Sequence, residues 1–66
     1  MKNKVKIHRT LKVMTQEELA QKVGVSRQTI NALESGKYVP STVLALKIAK
    51  CFQLKVEDLF YLENED

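Results

Sequence analysis

The stretch Thr15–Glu34, TQEELAQKVGVSRQTINALE, constrains this chain most. Its apolar residues recur at helical spacing in two short blocks with Gly24 between them. Leu19, Ala20 and Val23 make the stripe of the first block. Thr15 can cap it, and Glu18 three residues later completes a capping box. Gly24 stands where a helix commonly stops in the left-handed region, a conformation that costs glycine nothing. Val25 plugs the corner from beneath, and Ser26 is a good N-cap for the next helix. There Ile30 and Leu33 point inward, so Arg27, Gln28, Asn31 and Ala32 fall on or near the outer side.

That outer side is where function is legible. Arg, Gln and Asn can make paired donor and acceptor contacts with base edges in the major groove. Here three of them fall within one and a half turns, on a helix whose N-terminus suits an anion. A merely solvated polar face is the bland alternative. A helix, a glycine corner and a second helix weigh against it and toward DNA. Arg27, Gln28 and Asn31 are therefore the candidate base readers, with Ser26 assisting. Lys37 and Thr29 are candidates for backbone phosphates. Tyr38 could reach a phosphate or pack on its own loop, and both readings stand.

The segment resembles the helix-turn-helix of the phage repressor/Cro family, also called the XRE family. The resemblance runs through Thr15-Gln16, Leu19-Ala20, Gly24-Val25-Ser26, Ile30 and Glu34. It continues through Gly36-Lys37-Tyr38, Pro40-Ser41, Ala45-Leu46-Lys47-Ile48-Ala49 and Val56-Glu57-Asp58-Leu59-Phe60. Arg9 also stands at the family's usual distance before Gln16. Nearly the whole chain is covered, and it is most similar to minimal single-domain repressors of the cytolysin repressor type. The resemblance implies an all-α, five-helix lambda-repressor-like DNA-binding domain over residues 1–66, with the helix-turn-helix at 15–35. It implies that Gln16 contacts a phosphate, which positions the protein without reading sequence. It also implies a structural ion pair between Arg9 and Glu34, tying the first helix to the end of the recognition helix. Two departures stand out. His8 lies where the family usually has an apolar or aromatic residue, which suggests a partly buried imidazole with one hydrogen bond. Val13 lies where the family often has Gly, which suggests a different ending for the first helix.

With 66 residues the chain can build one small domain with a marginal core. Its net charge of +3 is unevenly spread: residues 1–55 hold all 11 Lys and Arg against three Glu, while residues 56–66 hold five Asp and Glu and no base. A basic body of +8 suits a polyanion, and an acidic end of −5 belongs on the far side from it. The acidic tail is 61–66. One cysteine, Cys51, permits no internal disulfide, suggests no metal centre, and reads as a buried inert thiol. No cofactor is expected. With no signal peptide and no membrane-spanning apolar run, the expected location is cytoplasmic.

In chain order, the first helix is expected from Asn3 or Lys4 to about Met14, with Val5, His8, Leu11 and Lys12 in one angular region and Ile7 and Met14 widening the apolar side. Gly36 closes the third helix and Ser41 caps the fourth, where Val43, Leu44, Leu46, Ile48, Ala49 and Phe52 wrap more than half the circumference. A short fifth helix is expected from Val56 to about Tyr61. Phe60, Tyr61 and Leu62 are too many large apolar groups for so small a monomer to cover. They make either a dimer contact or a short two-stranded sheet formed by the termini, and a symmetric homodimer is expected. Its two recognition helices would read half-sites about 34–36 Å apart.

The function expected is a sequence-specific regulator of transcription that binds double-stranded DNA and represses by occluding a promoter. The competing reading is an antitoxin, whose C-terminal apolar surface meets a toxin protein while the same fold binds DNA. A fold-only interaction domain conflicts with the polar outer face of the third helix. An enzyme is the poorest reading: one His, one buried Cys and no glycine-rich phosphate loop leave no catalytic constellation.

Overall fold

Helix ends set where each element of this molecule starts and stops. The computed structural model describes residues 1–66 as β1 (Lys2–Asn3), α1 (Val5–Leu11), α2 (Gln16–Val23), α3 (Arg27–Glu34), α4 (Thr42–Phe52), α5 (Val56–Leu59) and β2 (Phe60–Tyr61). Three helices open on a hydroxyl cap. Thr15 accepts from the Glu18 N–H at 3.0 Å, Ser26 from Thr29 at 3.1 Å and Ser41 from Leu44 at 3.2 Å. Glu18 returns the bond, accepting the Thr15 N–H at 2.9 Å, so the capping box is complete. Each such cap stabilises its helix by about 1 kcal/mol.

The four longer helices all stop in one way, with a left-handed residue and a bond from the following N–H back five residues. Those bonds are Met14 to Arg9 (3.1 Å), Val25 to Ala20 (3.0 Å), Lys37 to Ala32 (2.9 Å) and Leu54 to Ala49 (2.9 Å). The left-handed residues are Val13, Gly24, Gly36 and Gln53. Only two are glycines. Val13 thus ends the first helix as glycine ends the second and third, not in the different manner expected, and that helix closes at Leu11 rather than near Met14.

Burial refines the expected core. Val5 and Arg9 are the buried residues of α1. At about 100° per residue, Ile7 and Leu11 lie roughly 160° and 120° from Val5 around the helix, so both are exposed, Leu11 by 73%. In α4 the buried arc is Leu44, Ala45, Ile48, Ala49 and Phe52. Val43 and Leu46 lie outside it and are exposed, a correction to the wider arc expected. Leu19, Ile30, Leu33, Ile48 and Leu59 are fully buried where α2, α3, α4 and α5 meet. Each contributes about 1.5–3 kcal/mol on leaving water. Cys51 is half-buried rather than buried. The His8 ring rests beside Phe52, 6.2 Å between centroids, and makes no side-chain hydrogen bond, contrary to the expected single one.

The termini form an antiparallel sheet that pairs Lys2 with Tyr61 and Asn3 with Phe60. Helix α5 therefore ends at Leu59, before the expected Tyr61, because Phe60 turns to an extended backbone. Alternation along β2 sends Phe60 into the core and Tyr61 outward. Phe60, expected at a dimer interface, is 6% exposed and unavailable to a partner, whereas Leu62 is 74% exposed. The acidic tail curls back on the N-terminus. The Met1 α-amine lies 2.9 Å from an Asp66 carboxylate oxygen and 3.2 Å from Glu63.

Candidate nucleic-acid interface

The left-handed Gly24 turns the chain between α2 and α3, and Ser26 starts α3 two residues later. Ile30 and Leu33 bury one side of α3 in the core. The opposite side carries Arg27, Gln28 and Asn31, all exposed and free of intramolecular side-chain partners. Ala32, between them and the core, is half-buried. These three side chains project from a helix anchored along its other face, which is what reading a groove requires.

The C-terminal end of α3 is held by a buried ionic network. Arg9 Nε donates to Glu34 Oε2 at 2.6 Å and Arg9 Nη2 to Glu34 Oε1 at 3.1 Å, a two-pronged pair. Arg9 Nη1 donates to the Met14 carbonyl at 2.6 Å. Both side chains are largely out of water, 10% and 4% exposed. The Glu34 hydrogen bond chiefly raises the Arg9 pKa, against the opposing effect of burial. Gln16 Nε2 donates to the same Glu34 Oε1 at 3.0 Å. One Nε2 hydrogen and the backbone N–H at the first position of α2 are left to meet an anion.

The remaining phosphate candidates are placed less uniformly. The Thr29 hydroxyl lies 3.0 Å from the Ser26 hydroxyl, and Ser26 already caps α3, so one O–H of the two stays free to donate outward. Lys37 and Tyr38 are exposed in the loop after α3. One residue escaped sequence reasoning. Lys6 lines a shallow polar concavity with Gln16, Asn31, Glu34 and Ser35, joining α1 to both helices of the motif. Glu34 is already neutralised by Arg9 there, so Lys6 is the cation of that hollow without a carboxylate partner. Its i+3 spacing to Arg9, on the side toward Glu34, was the signal available in the sequence.

Two helices about a left-handed corner, with the second clamped at its base and its polar side bare, define a helix-turn-helix DNA-binding protein. Residues 5–59 match the helix-turn-helix family HTH_3, and the chain belongs to it, as a Cro/repressor-like (XRE) regulator domain. An uncharacterized HTH-type transcriptional regulator of Methanocaldococcus jannaschii is 59% identical over 66 residues, spanning 100% of both chains. Another from Bacillus subtilis is 56% identical over the same span. Among solved structures, the restriction-modification controller protein C.AhdI from Aeromonas hydrophila superposes with a TM-score of 0.78 at 32% identity, covering 85% of each chain. The family is one of transcriptional regulators, not an enzyme class. No helix here is long and apolar enough to cross a membrane.

Proposed function

We propose that this protein binds a specific double-stranded DNA site as a homodimer and represses transcription by occupying a promoter. The observation that carries the reading is the bare row of Arg27, Gln28 and Asn31 on a helix locked at its base by Arg9, Glu34 and Gln16. Arg suits guanine, and Gln or Asn suits adenine. Ser26 assists at the helix start. Gln16, Thr29, Lys37, Tyr38 and Lys6 fix the register through phosphates. Lysine and arginine also release counterions, so affinity falls steeply with salt. Such a protein works beside the chromosome, in the cytoplasm.

A second copy covers apolar surface left open by one chain. Val39, Val43 and Leu46 form an exposed stripe leading into and along α4, and Tyr61 with Leu62 forms a second. A two-fold dimer presents two α3 helices and predicts an operator with two related halves.

Selection of bound duplexes from a randomised pool, at two salt concentrations, tests the reading. Recovery of a palindrome with half-sites one helical turn apart supports both reader and dimer. Substitution of Gln28 or Asn31 should then relax one position per half-site. Salt-sensitive binding without a consensus would reduce the basic face to an electrostatic surface and bring the toxin-binding alternative forward.

A further inference from the structure

Asn3 does more than close a short strand. Its Nδ2 donates to the Leu33 carbonyl at 2.9 Å, and its Oδ1 accepts the Val5 N–H at 3.1 Å. It sits half-buried in β1, paired with Phe60 across the terminal sheet. Leu33 is the penultimate residue of α3, so its carbonyl is among the four that a helix cannot bond internally. The Gly36 N–H takes one side of that oxygen at 3.1 Å, and Asn3 takes the other.

We infer that Asn3 is a positioning residue for DNA reading: it ties the main chain at the base of α3 to the terminal sheet and sets the angle at which Arg27, Gln28 and Asn31 meet bases. The inference rests on the DNA-reading function proposed above. Two different ties converge on this end of the helix. Arg9 and Gln16 hold the side chain of Glu34, while Asn3 holds the backbone one residue earlier. At the other end the only polar tie is local, from Ser26 to Thr29. An eight-residue helix is about 12 Å long, so a tilt of about 5° at its base moves Arg27 by about 1 Å. That displacement is enough to spoil a two-pronged contact to a base.

The chemistry asks for an amide. One short side chain must accept from Val5 and donate to Leu33 at once. Aspartate keeps the acceptor but loses the donor, and sets a negative charge against a carbonyl at the negative end of α3. Asn3→Asp therefore separates the tether on α3 from the bond to the Val5 N–H at the start of α1.

The test compares Asn3→Asp with the unaltered chain and with Ile48→Val, a core substitution of modest cost that removes no hydrogen bond of the tether. The probes are the duplex recovered by selection with the unaltered chain and the same duplex with one base pair replaced. Asn3→Asp is expected to lower the ratio of the two affinities at least about threefold, part of the discrimination a paired base contact provides. Hydrogen exchange at the Gly36 and Lys37 amides is expected to accelerate. Ile48→Val should lower the melting temperature and leave the ratio unchanged. An unchanged ratio in Asn3→Asp overturns the inference. If the unaltered chain recovers no preferred duplex, the functional reading fails instead, and unchanged exchange at Gly36 and Lys37 would overturn the tether on its own.

Discussion

At the scale of single residues, the sharpest consequence concerns Glu34. Its carboxylate is buried and accepts from Arg9 twice and from Gln16 once. Replacing it by Gln strands the guanidinium away from water, a loss of about 3–5 kcal/mol. A domain of this length has a total stability of only roughly 3–10 kcal/mol. Glu34→Gln is thus expected to melt more than about 10 °C below the parent by circular dichroism, whereas an Arg9→Met, Glu34→Leu double variant should recover much of the loss. A melt of Glu34→Gln within about 2 °C of the parent would show the pair to be weakly coupled to folding. Lys6 is a different kind of residue, exposed and dispensable to the core. Lys6→Gln should leave the melt unchanged while reducing the slope of log K against log salt by about 0.9, equally for all duplexes. An unaltered slope would remove Lys6 from the phosphate contacts.

At the scale of elements, the shared helix ending explains both what sequence revealed and what it hid. Gly24 and Gly36 advertised two of the four stops, because glycine is the common left-handed residue. Val13 and Gln53 adopt the same conformation without that signal, at φ 54° and 57°. The length of α1 was misjudged for that reason. β-Branched valine is ill suited to this region, with a penalty of about 1–2 kcal/mol. Val13 is 88% exposed, so its side chain contributes little packing in return. Val13→Gly is expected to raise the melting temperature by several degrees despite the added freedom of the unfolded chain. Gly24→Ala is the mirror case: no atom lies within 4 Å of the added methyl, so the cost is backbone strain alone, about 1 kcal/mol. A fall in Tm for the first variant or a rise for the second would contradict this account. The capping hydroxyls and the polar outer side of α3 were legible because they depend on local order. Asn3, Phe60 and the exposed Leu46 were not, since their surroundings come from residues at least a helix away in sequence.

At the scale of the whole molecule, the two ends of the chain are joined and the apolar surface is not closed. The Met1 amine is held above the ordinary α-amino range, first by its hydrogen bond to Asp66 and then by Glu63, with burial opposing. A cation whose pKa rises on folding stabilises at lower pH and loses that effect as pH climbs through the folded value. Asp66 is held below the ordinary aspartate range by the Glu63 N–H and then the amine, so its contribution fades as pH falls through the lowered value. The tail is therefore expected to detach at the alkaline and acid extremes, read as faster exchange at the Glu63 amide relative to Ile48. A constant ratio of those rates from neutrality to about pH 10 would argue against the contact. Association provides the other test. Leu46→Glu and Leu62→Glu each place a charge on one of the two exposed apolar patches. If the protein forms the proposed homodimer, whichever substitution lies in its interface should shift dimer to monomer in sedimentation while leaving the circular dichroism intact. If neither shifts it, both patches lie outside the contact.

The two non-glycine helix endings have an evolutionary meaning as well. Substitutions that retune a DNA-reading surface generally erode stability, and a small domain has little margin to lose. Positions 13 and 53 each stand one replacement away from a relaxed backbone, and neither belongs to the proposed reading side of α3. A lineage that acquired glycine at either place would gain tolerance for new side chains at 27, 28 and 31. Its target site could then drift through intermediates that the present sequence would not survive.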